Sequence, residues 1–419
     1  MHHFHYRGDD LYCEDVPVSR IASEVGTPAY IYSHATLTRH FRVFDQAFAA
    51  VPHLVCFALK ANANLAVLKL FSDLGGGLDV VSGGELFRGL KAGVPPERIV
   101  YAGVGKSRDE IAYALKADIL MFNVESGQEL RLIHEVASGM GAKARVGLRV
   151  NPDVDPKTHP YIATGLKKSK FGIDIGRAPE EYEAAMALSS LDVVGIHHHI
   201  GSQITEVSPF VDALEKTAAL VRTLKGRGTA IRYLDVGGGL GITYKDEEPP
   251  LPGEFAEALI GVIRDLDVTV VLEPGRVLVA NAGILVARVL YTKQTPAKNF
   301  LVVDAGMNDL ARPSLYGSYH AIHPVRQSPG RPEVIADVVG PICESGDFLA
   351  KDRGLPRVEP GELLAVMSAG AYGHTMSSNY NARPRVPEVM VRGNRFYVVR
   401  ERETFDDLVR GERTLDELT

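Results

Sequence analysis

Short apolar runs alternate with longer amphipathic stretches from about residue 50 to about residue 280. The apolar runs are β-branched and continuous, which is typical of parallel strands buried on both faces. There are eight of them: HLVCFAL from His53, LDVVS from Leu78, RIVYAG from Arg98, ILMFNV from Ile119, ARVGLRV from Ala144, LDVVGIHHHI from Leu191, IRYLDV from Ile231 and VTVVLEP from Val268. The stretches between them, such as RDEIAYALKA and GQELRLIHEVAS, have helical spacing of their apolar residues.

Eight strands separated by helices are what a closed (β/α)8 barrel of the TIM type requires. A doubly wound open sheet is the alternative, but eight consecutive units in one span favour closure. We therefore predict an α/β protein in which residues 36–283 form a barrel.

After about residue 284 the chain consists of short β-type runs between turns rich in proline and glycine. These runs are ILVARVLYT, FLVVDAG, VIADVVG, LLAVMSAG and RFYVVRE. They predict an antiparallel β domain. The early run PAYIYS is expected to join it, because chain termini often lie close together. The predicted second domain thus comprises residues 1–35 and 284–419.

Composition restricts the possible functions. The 419 residues carry a net charge of −6 with scattered Lys and Arg, which argues against binding to nucleic acid or to a membrane surface. No apolar stretch reaches the roughly 20 residues of a membrane span, and the polar N-terminus does not resemble a signal peptide. The three cysteines form no CxxC pair, so a reduced, cytoplasmic protein is expected.

Polar or glycine-rich groups follow most of the predicted strands. In a (β/α)8 enzyme the carboxyl ends of the strands form the active site, so these groups are expected to meet at one mouth. They are Lys60, Asp79, Arg149, His199, Gly237, Gly238, Gly239, Glu273 and Arg276. Strands must end in something polar, so each one alone is weak evidence, but together they describe a cofactor pocket.

Three of these groups have a specific chemical interpretation. Lys60 ends an apolar strand, which would desolvate its amine and favour Schiff-base chemistry, although a surface lysine fits equally well. Gly237–Gly239 would let backbone N–H groups approach a phosphate, or they form a plain tight turn. Glu273, in the segment Glu273–Arg276, could hold the ring nitrogen of pyridoxal 5′-phosphate (PLP) protonated, or pair with an arginine at the surface.

The triplet His197–His199 raises the possibility of a metal site. No carboxylate or cysteine stands at ligand spacing beside it, so no metal is predicted. A single inward His199 that stacks on a flat cofactor ring is the simpler interpretation, with Ser202 then available to a phosphate.

Two segments of the predicted β domain also carry reactive side chains. Cys343 lies among glycines and acids in GPICESGD, where it could donate a proton or be an ordinary buried cysteine. Tyr372 lies in the glycine-rich turn SAGAYG.

Ten motifs in order resemble the diaminopimelate decarboxylases, which belong to the alanine racemase-like PLP enzymes with a barrel and a β domain. The motifs are FALKAN, LDVVSGGEL, VESGQEL, LRVNPDVDPKTHPYIATGLKKSKFGI, HHHIGSQ, DVGGGLGI, LEPGR, DAGMNDLARPSLY, GPICESGD and SAGAYG. They cover nearly the whole chain. One departure is GVGKS from Gly103, where the family pattern has asparagine at the second position.

The resemblance implies a role for each matching residue. Lys60 would bind PLP covalently, and His199 would stack on its ring. The other implied cofactor contacts are Ser202, Gly237, Gly238, Gly239, Glu273, Pro274, Gly275, Arg276 and Tyr372. The implied substrate contacts are Arg276, Arg312, Tyr316, Glu344 and Tyr372, with Cys343 as the catalytic proton donor.

The reaction implied by the resemblance is decarboxylation of meso-2,6-diaminopimelate to L-lysine. In the family, Cys343 and Glu344 would reach the active site of a partner subunit, so a homodimer is expected. Arg312 suits the distal carboxylate of the substrate and argues against a decarboxylase of ornithine, arginine or a carboxylated polyamine. A racemase would be expected to use a tyrosine base. A regulatory homologue would be expected to have lost Lys60 or Cys343, and a plain PLP carrier would make no use of Arg312 or Glu344.

Overall fold

The structure, a computed structural model, describes residues 2–156, 158, 164–165 and 169–418, and it divides the chain into two units. One unit comprises residues 38–278, and the other comprises residues 1–37 and 279–419. His159, in the motif LRVNPDVDPKTHPYIATGLKKSKFGI, lies outside the described residues, as do positions 157, 160–163 and 166–168 of the same motif.

The strands follow one another along the chain with these bounds: β1 Phe4–Arg7, β2 Asp10–Cys13, β3 Val16–Pro17, β4 Ala29–Ser33, β5 His53–Ala58, β6 Gly77–Val80, β7 Ile99–Tyr101, β8 Met121–Val124, β9 Ala144–Asn151, β10 Ile173–Asp174, β11 Leu191–His197, β12 Tyr233–Asp235, β13 Thr269–Leu272, β14 Gly283–Gln294, β15 Asn299–Val303, β16 Ile322–Pro324, β17 Glu333–Val339, β18 Phe348–Pro356, β19 Leu363–Val366, β20 Glu388–Arg392 and β21 Arg395–Arg400. The helices are α1 Val18–Val25, α2 His34–Ala47, α3 Leu65–Asp73, α4 Gly83–Lys91, α5 Arg108–Ala117, α6 Gly127–Gly139, α7 Ala178–Met186, α8 Ser208–Gly226, α9 Pro252–Ile263, α10 Arg276–Val279, α11 Arg312–Tyr316 and α12 Phe405–Leu408.

The unit of residues 38–278 is built around a closed parallel barrel. Within the described residues, strands β5 to β9 and β11 to β13 pair in parallel in the order of the chain. The barrel closes where β13 pairs with β5, and the short β10 extends β9. The predicted closed barrel is therefore confirmed, and the open sheet is excluded.

Local signals explain where the barrel helices begin. Ser82, Ser107 and Ser126 each precede a helix, and each side-chain oxygen accepts a hydrogen bond from a backbone N–H three residues later. Ser107 and Glu110 form a complete capping box. These serines satisfy N–H groups that a helix start leaves without partners, and they fix the turns that lead from strand to helix.

The other unit contains a seven-strand path in the order β18-β17-β15-β14-β4-β20-β21. Strand β4 lies between β14 and β20, so the N-terminal segment does join the C-terminal sheet, as the sequence predicts. Most neighbours are antiparallel, but β15 with β17 and β4 with β20 are parallel pairs. Those two pairings join segments distant in sequence, which an analysis of local turns does not detect.

None of the helices in the described part of the chain combines the length and hydrophobicity that a membrane span requires.

Candidate active site

Lys60 lies at the carboxyl end of the first barrel strand, in the single turn Leu59–Ala61 that follows β5. Its Nζ atom is 3.0 Å from Oδ2 of Asp79, which lies on the neighbouring strand β6 and is fully buried. Burial and the nearby Glu273 raise the pKa of Asp79, and Lys60 opposes that shift. The amine is thus held at a defined place by a carboxylate that water does not reach.

Three polar side chains, two on β8 and β12 and one just after β13, meet inside the barrel. Nδ2 of Asn123 on β8 donates to Oδ2 of Asp235 on β12 at 2.8 Å and to Oε1 of Glu273 at 3.4 Å. Burial and the neighbouring Glu273 raise the pKa of Asp235 well above its usual range. Burial also raises the pKa of Glu273, but the charge of Lys60 lowers it again. Burial thus raises the pKa of both carboxyl groups, whereas the Asn123 amide, the charge of Lys60 and the Gly237 N–H, 3.0 Å from Oδ1 of Asp235, favour their ionised forms.

His197 adds an imidazole to this cluster. Its Nε2 lies 3.4 Å from Oε2 of Glu273 without the alignment of a hydrogen bond, and neither ring nitrogen has a hydrogen-bond partner among the described residues. Burial lowers the pKa of His197 to about 3, so the ring is neutral.

His197, Asp235 and Glu273 have potential ligand atoms within 4.8 Å of one another. The sequence argument against a metal relied on the absence of carboxylates near the triplet, but barrel closure brings them from β12 and beyond β13. The sequence argument was therefore wrong in assuming that no carboxylate lies near the histidines. The amide hydrogens of Asn123 nevertheless point at the same two carboxylates and oppose a cation there. The absence of a metal stays a prediction.

His198 and His199 face different surroundings. Nδ1 of His198 lies 3.2 Å from the hydroxyl of Thr217 in helix α8, so this ring points outward into the helix layer. His199 follows the strand end, and its Nδ1 accepts a hydrogen bond from the Gly238 N–H at 3.2 Å. Burial holds the pKa of His199 well below its usual value, which keeps the ring neutral and its Nδ1 able to accept.

The glycine turn after β12 is packed so closely that it excludes side chains. A Cβ on Gly238 would lie 2.0 Å from the carbonyl oxygen of Glu273, and one on Gly239 would lie 2.4 Å from that of Gly201. Gly237 and Gly239 also have positive φ angles of 67° and 124°, which favour glycine. The turn is therefore bare of side chains, and its Gly237 and Gly238 N–H groups donate to Asp235 and His199.

Arg276 begins helix α10 directly after Glu273, Pro274 and Gly275. Its Nη2 donates to Oγ of Ser202 at 3.0 Å, and its Nη1 donates to the hydroxyl of Tyr244 at 2.7 Å. Arg276 and Tyr244 are both buried. Pro274 is tied to the first barrel strand through its carbonyl, which accepts from the Ala58 N–H at 3.1 Å. The barrel thus places a guanidinium and a hydroxyl together.

Arg149 forms a buried ion pair that holds neighbouring segments of the barrel in place. Its Nη1 lies 2.7 Å from Oε1 of Glu125, and both side chains are buried. The other oxygen of Glu125 accepts from the Gly172 N–H at 2.8 Å, and Nη2 of Arg149 reaches the carbonyl of His199 at 3.4 Å. This ion pair therefore fixes the segment that carries His199.

The remaining predicted residues belong to the other unit. Arg312 is buried at the start of helix α11, which ends at Tyr316. Tyr372 has a positive φ of 54°, an unusual value for an aromatic residue, in a turn where a Cβ on Gly373 would lie 2.5 Å from the Ala369 carbonyl. The closely packed turn thus holds the backbone at Tyr372 in a strained conformation.

Cys343 and Glu344 are exposed on a loop that a buried carboxylate fixes. Asp347 accepts hydrogen bonds from the Ile342 N–H at 2.7 Å and the Met307 N–H at 2.6 Å. The Cys343 N–H donates to Oδ1 of Asn381 at 2.7 Å. The loop therefore presents a thiol at the surface, and the alternative of a buried structural cysteine is excluded for Cys343.

Comparison with known proteins identifies the family. A family profile described as pyridoxal-dependent decarboxylase, pyridoxal binding domain, matches residues 34–280. The chain is 52% identical to the diaminopimelate decarboxylase of Aquifex aeolicus over 405 residues, which covers 96% of each chain. It is 52% identical to the diaminopimelate decarboxylase of Pseudomonas aeruginosa over 415 residues, 99% of this chain and 100% of that one. The chain belongs to the diaminopimelate decarboxylases. The resemblance seen in the motifs is confirmed.

A solved structure of this family supports the same assignment. The diaminopimelate decarboxylase of Helicobacter pylori, complexed with L-lysine, has a TM-score of 0.91 and 43% identity, over 96% of this chain and 99% of that one.

The family cofactor is PLP, and the barrel residues fit its parts. Lys60 offers an amine, the buried Glu273 offers a carboxylate for a ring nitrogen, and the bare turn at Gly238 lets a phosphate approach the backbone. The sequence analysis missed three residues that hydrogen-bond to predicted ones: Asn123 contacts Glu273, Glu125 contacts Arg149, and Tyr244 contacts Arg276. The only signal for Asn123 was a polar residue inside the apolar run ILMFNV.

Proposed function

We propose that the chain catalyses the PLP-dependent decarboxylation of meso-2,6-diaminopimelate to L-lysine and CO2, the last step of lysine biosynthesis by the diaminopimelate route. The observation that carries the proposal is that Lys60 and Glu273 follow paired barrel strands, β5 and β13, in a chain of this family. An amine that can bind a carbonyl and a buried carboxylate are therefore offered within one barrel.

Each proposed cofactor contact has a chemical reason. Lys60 would bind the aldehyde carbon, His199 would cover the ring, and Glu273 would hold the ring nitrogen. The phosphate would bind among the remaining barrel contacts, where Ser202 would offer its hydroxyl, Arg276 its guanidinium and Gly239 and Gly275 their backbone N–H groups, and Tyr372 would add its phenol. Those contacts are Ser202, Gly237, Gly238, Gly239, Pro274, Gly275 and Arg276. When bound, PLP supplies a sink for the electron pair that the departing carboxylate leaves behind.

Glu273 would do its work as an anion, because a carboxylate can hold a proton on the ring nitrogen whereas a neutral acid cannot. The Asn123 amide and the nearby charge of Lys60 both favour that anion.

The β-domain residues would select the substrate and complete the reaction. The Arg312 guanidinium would bind the carboxylate at the distal end, with Tyr316 and the barrel residue Arg276 as further contacts, and Glu344 would contact an amine. Cys343 would deliver a proton from Sγ to the carbon that CO2 leaves. This role suits a thiol that is exposed on a braced loop.

We also propose that two copies form a homodimer with shared active sites and that the enzyme works in the cytoplasm without nucleic acid or membrane partners. Support for the dimer is the surface position of Cys343 and Glu344, whose side chains are available to a second subunit. The net charge of −6 and the lack of paired cysteine motifs fit the other two statements.

A substrate panel tests the reaction. Purified protein with added PLP would receive meso-diaminopimelate, LL-diaminopimelate, lysine, ornithine and arginine in separate assays, with products measured by mass spectrometry. Lysine formed from the meso isomer alone would support the proposal. Decarboxylation of ornithine or arginine instead would contradict the substrate assignment, and inactivity toward the whole panel with PLP bound would contradict the enzymatic function.

Complementation tests the shared site. Lys60→Ala and Cys343→Ala subunits would be inactive alone, but a mixture refolded or coexpressed together should regain about a quarter of the wild-type activity, because each mixed dimer has one intact site. No recovery in a mixture shown to contain mixed dimers would mean that Cys343 serves its own subunit.

A further inference from the structure

The buried guanidinium of Arg312 is in contact with a buried histidine. Nη1 of Arg312 lies 2.9 Å from Nε2 of His320, and His320 is fully excluded from solvent. Nη2 of the same guanidinium donates to Oγ of Ser318 at 3.2 Å. Two edges of Arg312 are thus held by residues that follow it closely in the chain.

The other side of the ring determines which nitrogen carries the hydrogen. Nδ1 of His320 lies 2.8 Å from the carbonyl oxygen of Met367. A carbonyl oxygen only accepts, so Nδ1 must be the donor. Arginine only donates, so Nε2 must offer its lone pair to Arg312. The two contacts together require a neutral ring in the Nδ1–H form.

The backbone around His320 is also fixed. Its carbonyl accepts from Nη1 of Arg353 at 2.7 Å, and the Arg353 guanidinium lies 4.0 Å from the centre of the Tyr319 ring. The Met367 N–H donates to the Ala321 carbonyl at 2.8 Å, which ties the chain beyond β19 to the chain just after His320. The imidazole therefore has little freedom to rotate.

We propose that His320 is a positioning residue for substrate recognition, whose Nε2 orients the guanidinium of Arg312 toward the distal carboxylate of the substrate. This inference rests on the proposed function. A guanidinium binds a carboxylate best with two parallel hydrogen bonds, and that geometry depends on the rotation of its plane. An acceptor on one edge sets the rotation before the substrate arrives, which lowers the cost of ordering it.

Two substitutions separate this role from simple packing. In His320→Gln the side-chain oxygen can take the place of Nε2 and accept from Arg312. In His320→Asn the amide nitrogen can take the place of Nδ1 and donate to Met367, but the acceptor for Arg312 is lost. Both variants remove the ring, so a role in packing alone predicts similar losses for the two.

The readouts are lysine binding, measured by calorimetry on the PLP-loaded protein, and the kinetic constants for meso-diaminopimelate. We expect His320→Asn to weaken lysine binding and raise KM about 10- to 100-fold, because a buried donor of Arg312 loses its partner. The kcat should change less than KM, and the visible spectrum of the bound cofactor should be unchanged. His320→Gln should restore lysine binding to within about threefold of wild type.

A double-mutant cycle tests whether His320 acts through Arg312. In an Arg312→Ala background, His320→Asn should change lysine affinity by less than about twofold, since the contact is already gone. Equal losses in the Asn and Gln variants, or an undiminished effect in the Arg312→Ala background, would overturn the inference. If His320→Asn does not fold, Ser318→Ala replaces it, because Ser318 holds the other edge of the same guanidinium. We then expect a smaller loss of lysine affinity, and an unchanged affinity would contradict the proposal. Wild-type protein that binds lysine but converts no substrate would contradict the proposed function alone.

Discussion

The amine of Lys60 and the carboxylate of Asp79 are 3.0 Å apart at the ends of two neighbouring strands. Asp79 is fully buried, whereas the Lys60 side chain is 38% exposed, so the pair points from the barrel interior toward solvent. Asp79 thus fixes the amine on the side of the barrel interior, and the amine stays accessible from the solvent side. That accessibility is what covalent attachment of a carbonyl compound needs.

Replacement of Lys60 by alanine is therefore expected to abolish covalent PLP and its visible absorbance. Lys69→Ala is the matched control, because Lys69 is an exposed lysine of the following helix with an ion pair to Asp73. That variant should keep the wild-type spectrum. A lysine-linked absorbance that persists in Lys60→Ala would assign the attachment to another amine.

Replacement of Glu273 by glutamine should have opposite effects on activity and stability. The neutral amide cannot hold a proton on the ring nitrogen, so we expect kcat to fall on the order of 10²-fold. Cofactor-free Glu273→Gln should melt at a higher temperature than cofactor-free wild type, because burial makes the carboxylate costly and raises its pKa. Paired assays of kcat and of the melting temperature measure both effects. An unchanged kcat would remove Glu273 from the reaction.

The barrel was predictable from sequence because its signal is local. Each run such as HLVCFAL is long enough to show burial on both faces, and serines such as Ser107 mark the helix starts. Lys60 and Glu273 could be located because strand ends carry the chemistry in this architecture. The family resemblance then supplied the roles that strand ends alone left open.

Contacts across the barrel and within the sheet could not be predicted in the same way. Asn123 precedes Asp235 by 112 residues and Glu273 by 150 residues. Only the closure of the barrel brings the three side chains together. The partnership of Arg312 and His320 spans eight residues, but no periodic pattern marks it. Strand β20 was also missed, although it forms a local hairpin with β21, and its parallel pairing with the distant β4 could not be predicted.

Replacement of Cys343 by alanine should slow product formation while PLP stays bound. Loss of a positioned proton donor typically costs about 10²- to 10⁴-fold in rate. Ser345→Ala is the control, since Ser345 is exposed two residues further along the same loop and should leave turnover unchanged. Steady-state assays with the visible spectrum recorded in parallel measure both quantities. Full turnover in Cys343→Ala would move the proton-donor role to another group.

Gly238 tests the role of the bare turn. In Gly238→Ala the new Cβ would lie 2.0 Å from the Glu273 carbonyl oxygen, so the turn or the start of the segment after β13 must move. We expect a loss of PLP affinity and a destabilisation of about 1–3 kcal/mol. Gly253→Ala is the matched control, because a Cβ there meets nothing within 4 Å and lies in helix α9. Equilibrium dialysis of PLP and urea unfolding measure the two effects. Equal behaviour of both variants would show that the turn tolerates side chains.

Asp309 in the β domain gives a pH-dependent prediction that is separate from the cofactor. Burial raises its pKa from 3.8 to about 6, against the hydrogen bond from the Gly306 N–H. An acid whose pKa is raised by folding ionises more readily in the unfolded chain, so its contribution to stability falls as pH rises through that window. Asp309→Asn removes this titration.

From about pH 4 to about pH 7, wild type should therefore lose roughly 2 kcal/mol of stability relative to Asp309→Asn. Urea unfolding of both cofactor-free proteins across that range measures the difference, and subtraction removes the other titrating groups that the two proteins share. A difference that stays constant with pH would mean that Asp309 is ionised in the folded protein across the whole window. A difference that grows in favour of wild type would mean that burial of Asp309 is outweighed by its N–H partner and by the cations Arg383 and Arg402.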